Sequence, residues 1–133
     1  MYIDEQYATN LDDEVMVSAY LKPSDDIVSD GSFCWDYFLR FENNSNDDII
    51  LLSKHLSVTD IKGKTISVDY EGFKGQLPEL VPGDNFEDDG YVTSKTSAIL
   101  QGFCTVRIGN KIKEIELPVL SLIANDNNQS LLH

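Results

Sequence analysis

The segment SFCWDYFLRFEN, residues 32–43, limits the folds open to this chain more than any other. Phe33, Trp35, Tyr37, Leu39 and Phe41 recur at every second position, with Cys34, Asp36, Phe38, Arg40 and Glu42 between them. A period of two puts five large apolar side chains on one face of a strand, whereas a helix would scatter them around its axis. One apolar face with a mixed opposite face describes a half-buried antiparallel strand, and such a face needs a second layer to cover it. Trp35 belongs to that buried face and is expected in the core.

The rest of the chain supplies candidates for that layer. EVMVSAYL (14–21), IILLSKHLSVTD (49–60), TISVDY (65–70), SAILQGFCTVRI (97–108) and KIKEIELPVLSLIA (111–124) are rich in β-formers. Turn signals separate them at Asp30-Gly31, NNSNDD (43–48), Gly63, Pro82-Gly83 and Gly109-Asn110. Gly102 suggests a bulge or a close backbone approach, and Pro118 puts the last strand at an edge or a bulge. No segment carries a convincing helical period. The pattern predicts an all-β sandwich of about seven to eight antiparallel strands. A length of 133 residues suits a single domain. Its core is expected over about 14–124, with flexible tails at 1–13 and 125–133.

Charge and cysteine content narrow the function classes. The formal net charge is -13, and residues 1–50 hold 12 of the 23 acids and 2 of the 10 bases. Such a field repels nucleic acid and anionic membrane, so neither is expected as a partner. No apolar run reaches membrane-span length, and MYIDEQ has no secretory apolar core. Cys34 and Cys104 lie apart in apolar segments and read as buried reduced thiols of a cytoplasmic protein. No cofactor motif is visible. KGKT (62–65) ends like a phosphate-binding loop, but Val58 stands where the first glycine would, and a hairpin turn is expected. His55 has no nucleophile or carboxylate in a recognisable local signature, so it reads as a structural histidine within a sheet. The acidic runs at 12–14 and 87–89 read as solvated loop charge, and no metal site is expected.

One stretch asks for more. YEGFKGQLPELVPGDNF (70–86) combines three glycines, Lys74 and two prolines. Two readings fit it: a backbone cradle for a small anion, or two turns. In the first, Gly72, Lys74 and Gly75 hold phosphate with help from Lys54, Lys62 or Lys64. In the second, EGFKGQLP is a surface loop and Val81-Pro82-Gly83-Asp84 a tight turn.

Taken together, Glu42-Asn43, LLSKHL (51–56), DIKGK (60–64), Gly72-x-x-Gly75-x-x-Pro78, LVPG (80–83), GFCTV (102–106) and IELPVLSL (115–122) resemble the ApaG domain family, in that order and over about Val15 to Ile123. The resemblance implies an immunoglobulin or fibronectin type III-like sandwich. It also implies a small soluble protein without established enzymatic activity, linked genetically to cobalt and magnesium efflux and, in eukaryotic proteins, regarded as a protein-interaction module. A G-x-G-x-x-G segment proposed in some members to bind pyrophosphate falls on Tyr70, Gly72 and Gly75. Tyrosine in the first place limits backbone approach to an anion. The expectation is a non-enzymatic interaction or accessory module with an unidentified protein partner. The alternative is a pyrophosphate-type anion binder. Because sandwiches pair through edges and faces, a homodimer is a further expectation.

Overall fold

Phe33–Asn43 is one unbroken strand, with Trp35, Tyr37, Leu39 and Phe41 buried on one face as the alternation requires. The computed structural model describes residues 5–10, 12–24 and 30–124, and the expected C-terminal tail at 125–133 lies outside them. Ten strands form among the described residues: β1 (Gln6–Thr9), β2 (Val15–Pro23), β3 (Phe33–Asn43), β4 (Ile49–Asp60), β5 (Thr65–Glu71), β6 (Glu79–Leu80), β7 (Asn85–Ser94), β8 (Ala98–Ile108), β9 (Lys111–Glu116) and β10 (Leu120–Leu122). They build two antiparallel sheets. One has the order β1-β2-β3-β7; the other runs β10-β8-β4-β5, with β6 on β4 and β9 on β8. Val15, Val17, Leu21, Trp35 and Phe41 of the first sheet meet Ile49, Leu51, Val106, Ile115 and Leu122 of the second in a buried core.

The strand count exceeds the expected seven to eight for local reasons. The last apolar segment splits at Leu117–Val119, where Pro118 cannot donate to a ladder. The Leu117 N–H instead reaches the Gly102 carbonyl at 3.0 Å. Gly102 is the close approach its sequence position suggests, since a Cβ there would stand 2.0 Å from the His55 carbonyl oxygen. The expected arm at 1–13 is corrected at Gln6–Thr9, which pairs with Leu21–Ser18 of β2, while its residues 1–4 and 11 lie outside the described ones. Polar side chains stitch this segment to the far end of the chain. Gln6 bonds the Ser121 backbone through both its amide groups, and Asn10 Nδ2 donates to the Glu116 carbonyl at 3.1 Å. Lys113 Nζ bridges Asp12 at 3.0 Å and Glu14 at 3.1 Å, and these bonds, Asp12 first, hold the ammonium above its usual pKa. A segment so polar carries no apolar strand signal, because side-chain hydrogen bonds anchor it more than burial does.

One irregularity sets up the functional face. β4 pairs with β8 in register from Ile49 to Leu51 and again from Ser53 to Asp60, leaving Leu52 as an extra, bulged residue. A one-residue shift inverts every later side chain. Ile49 and Leu51 point into the core; beyond the bulge the inward positions are Lys54 and Leu56, while His55 and Ser57 turn outward.

At the end of β3, Asn43 is fully buried and ties three backbone segments together. Its Nδ2 donates to the carbonyls of Asp47 and Leu80, both at 2.8 Å. Its Oδ1 accepts from the Ser45 N–H and hydroxyl at 2.9 and 2.7 Å. The Leu80 side of this clasp leads into the expected turn, where the Asp84 N–H returns to the Val81 carbonyl at 2.9 Å.

Candidate functional site

β5 ends the six-stranded sheet and β7 ends the four-stranded one. The two edges face each other across one open side of the sandwich. Two adjoining depressions lie there. A cleft of about 420 Å³ is lined by Tyr37, Lys54, Tyr70, Gly72, Phe73, Lys74, Asp88, Asp89, Gly90 and Tyr91. Next to it, an apolar groove of about 180 Å³ is lined by Leu56, Val58, Ile66, Val68, Tyr70, Tyr91, Val92 and Thr93.

The floor of the cleft holds a buried ion pair. Lys54 Nζ donates to Asp88 Oδ2 at 2.5 Å and to the Tyr37 hydroxyl at 2.8 Å, and the two charged side chains are only 5% and 1% exposed. The rings of Tyr70, Tyr37 and Phe73 stand 4.6, 4.9 and 5.8 Å from the ammonium, so cation–π contacts accompany the hydrogen bonds. Burial, followed by the Asp88 charge, holds the Tyr37 phenol above its usual pKa, and its hydroxyl stays protonated. Gly90 makes room for this arrangement, since a Cβ there would stand 2.3 Å from the Tyr37 hydroxyl oxygen.

Six residues were expected around an anion: Lys54, Lys62, Lys64, Gly72, Lys74 and Gly75. The structure brings Lys54, Gly72 and Lys74 to one cleft, with Gly75 in the adjoining turn, and leaves Lys62 and Lys64 apart from it. Lys54 is sealed beneath Tyr70 with its charge matched by Asp88. Lys62 and Lys64 sit in the β4–β5 hairpin, closed by an Asp60 N–H bond to the Lys64 carbonyl. All seven residues of β5 lie between that hairpin and Gly72, a span of roughly 20 Å at strand rise. Lys74 projects outward and pairs with Asp89, which raises its pKa.

The 72–76 segment is a tight turn. Phe73 and Gln76 exchange two backbone hydrogen bonds, at 2.7 and 3.1 Å, around Lys74 and Gly75 at φ 54° and 80°. Two positive φ angles in a two-residue loop define a type I′ turn, for which Asn-Gly is the favoured pair. The expected surface loop is corrected at Phe73, which is 2% exposed and packs edge-on against Phe41 and Phe86. The Gly72, Phe73 and Gln76 N–H groups are spent on backbone carbonyls, so those amides are not offered to an anion. Lys74→Asn should relieve the left-handed strain and raise the urea midpoint without changing the slope; a lowered midpoint would refute this account of the turn.

On the outer face of the six-stranded sheet, His55 stacks on Phe103 at 4.9 Å, donates to Asp69, and places Nε2 3.2 Å from the Ser57 hydroxyl. The structural reading of His55 agrees with these contacts. The Ser57–His55–Asp69 grouping was not legible in the sequence, because it joins two alternate positions of one strand to a cross-strand partner. It resembles a hydrolytic triad in connectivity, yet β4 is paired on both sides and its N–H groups are committed to ladders. Cys104 is buried, and burial pushes its thiol up to about 12; Cys34 is a half-buried thiol on β3. Among the described residues, no group of three His, Cys, Asp or Glu is arranged to hold a metal ion, and no helix is long and apolar enough to cross a membrane.

The family model described as the ApaG domain matches residues 23–107. Protein ApaG of Bradyrhizobium sp. strain BTAi1 is 30% identical over 122 residues, covering 90% of this chain and 93% of that protein. Protein ApaG of Mesorhizobium japonicum is 33% identical over 113 residues, covering 82% and 85%. Among solved structures, the putative ApaA protein from Bordetella pertussis superposes with a TM-score of 0.75 at 22% identity, covering 83% of this chain and 93% of that one, a likeness of fold.

Proposed function

The chain belongs to the ApaG domain family, and from that premise we propose that it is a non-catalytic protein-interaction module whose docking surface is the open side of the sandwich between β5 and β7. One observation carries the reading. Ile66 and Val68 pair with the inward residues Val58 and Leu56, yet they are 61% and 45% exposed. Inner-face apolar side chains left open on an edge strand are the kind of surface that a partner covers. The cobalt and magnesium efflux association implied by the family is then an effect of the partner, and the reduced thiols fit a cytoplasmic setting.

Anion binding is the weaker reading on this geometry. It requires Lys74 to leave Asp89, and it gains nothing from Lys54 beneath Tyr70.

Affinity capture at native expression level tests the module. A partner should be retained by the wild-type chain and lost with Val68→Glu, whose exposed position should leave the circular dichroism spectrum unchanged. Equal capture by both chains, or no capture by either, would overturn the proposal.

A further inference from the structure

Resting on the interaction-module reading, we propose that the partner docks as an extended strand added to the free edge of β5, with apolar and basic side chains alternating along it. The hydrogen-bond pattern identifies the edge. In an antiparallel pair, opposed residues alternate between bonded and non-bonded pairs. The β4–β5 ladder is anchored at one end by the Gly72 N–H on the Leu52 carbonyl and at the other by the Asp60 N–H on the Lys64 carbonyl. Counting between these anchors makes Ile66, Val68 and Tyr70 the bonded positions. Thr65, Ser67, Asp69 and Glu71 therefore turn their N–H and C=O groups away from β4. All seven residues of β5 are exposed and no other described strand pairs with this side, so this row of donors and acceptors is ready for a further strand.

Side-chain direction sets the partner's pattern. Residues of an added strand opposite Ile66, Val68 and Tyr70 point into the opening, where apolar groups would cover the groove. Residues opposite Ser67, Asp69 and Glu71 point outward beside two carboxylates, where lysine or arginine matches the charge. Asp69 already holds His55, but its side chain is 83% exposed and accessible to a second cation. The acidic edge and the net charge of -13 disfavour a second copy of the chain as the occupant. The occupant is a basic, extended segment of another protein, about five to seven residues long by strand length.

A fluorescein-labelled heptapeptide, Lys-Val-Arg-Leu-Lys-Val-Arg, is a suitable probe. Anisotropy titration should show binding, and a same-composition peptide with its three apolar residues grouped should bind about tenfold more weakly. Amide exchange should slow at Ser67 and Asp69 on adding the probe. Ser67→Pro removes an outward N–H without touching the β4 ladder and should abolish binding; Asp69→Lys/Glu71→Lys should do so by charge and serves if the proline variant fails to fold. Equal binding of both peptides, or no slowing at Ser67 and Asp69, overturns strand addition. Slowing that grows with protein concentration in the absence of peptide also overturns it, by assigning the edge to a second copy. Capture of a partner that is lost with Val68→Glu but kept by both edge variants would leave the module standing and reject this mode alone.

Discussion

A Lys54→Ala chain should lose about 3–5 kcal/mol of stability, because the deletion leaves the Asp88 carboxylate buried without a partner. Lys54 also fills the space among Tyr37, Tyr70 and Phe73, so truncation opens a void there as well. Replacing the whole polar set is a different operation. Lys54→Met with Tyr37→Phe and Asp88→Val removes both charges and the hydroxyl together and should be close to neutral or stabilising. Urea unfolding of the single and triple variants separates the cases. A single variant within about 1 kcal/mol of wild type would show that the pair is solvated and not buried. A triple variant worse than the single would show that the ion pair contributes net stability.

Asn43→Ala should cost roughly 2–6 kcal/mol, the sum of four side-chain hydrogen bonds at about 0.5–1.5 kcal/mol each. The loss is concentrated in the loops, since Asn43 connects the 45–47 turn to the carbonyl of Leu80. Asn43→Asp is a sharper test. It preserves shape and the Oδ1 acceptor but aims a carboxylate oxygen at two carbonyls in a buried site, and it should be at least as damaging as alanine. The urea midpoint reads the stability, and faster amide exchange at Gly83 and Asp84, which bond the Asn43 carbonyl and the Val81 carbonyl, reads the location. A midpoint unchanged for both variants would remove Asn43 from this role.

The sandwich itself was legible because β3 states its period over nine residues without interruption. The LVPG turn and the close approach at Gly102 were legible for a similar reason: proline and glycine announce local backbone geometry. The site was not. Lysine at 54 reads as a solvent-facing charge, and continuing the alternation from Ile49 and Leu51 also sends it outward. The bulge at Leu52 reverses that parity. The signal was present in the apolar positions, since Leu56 and Val58 are out of phase with Ile49 and Leu51. Asp88 gave no such sign, standing in an acidic run that composition assigns to solvent. Phe73 was hidden by its neighbours, because two glycines and a lysine describe a surface loop and nothing local reveals that the ring turns back into the core.

The bulge at Leu52 also determines which mutations the chain can absorb. It acts as a frame marker in β4: upstream residues are read in one phase and downstream residues in the other. Any substitution at 52 leaves that reading intact. Deleting the residue restores a regular ladder and keeps Lys54, Leu56 and Val58 inward, whereas pairing Leu52 with Thr105 at unchanged length would swap them for Ser53, His55 and Ser57. A deletion at 52 is thus absorbed while a slip of one residue is not, and in β4 the pairing register matters more than the identity of the residue that is extra.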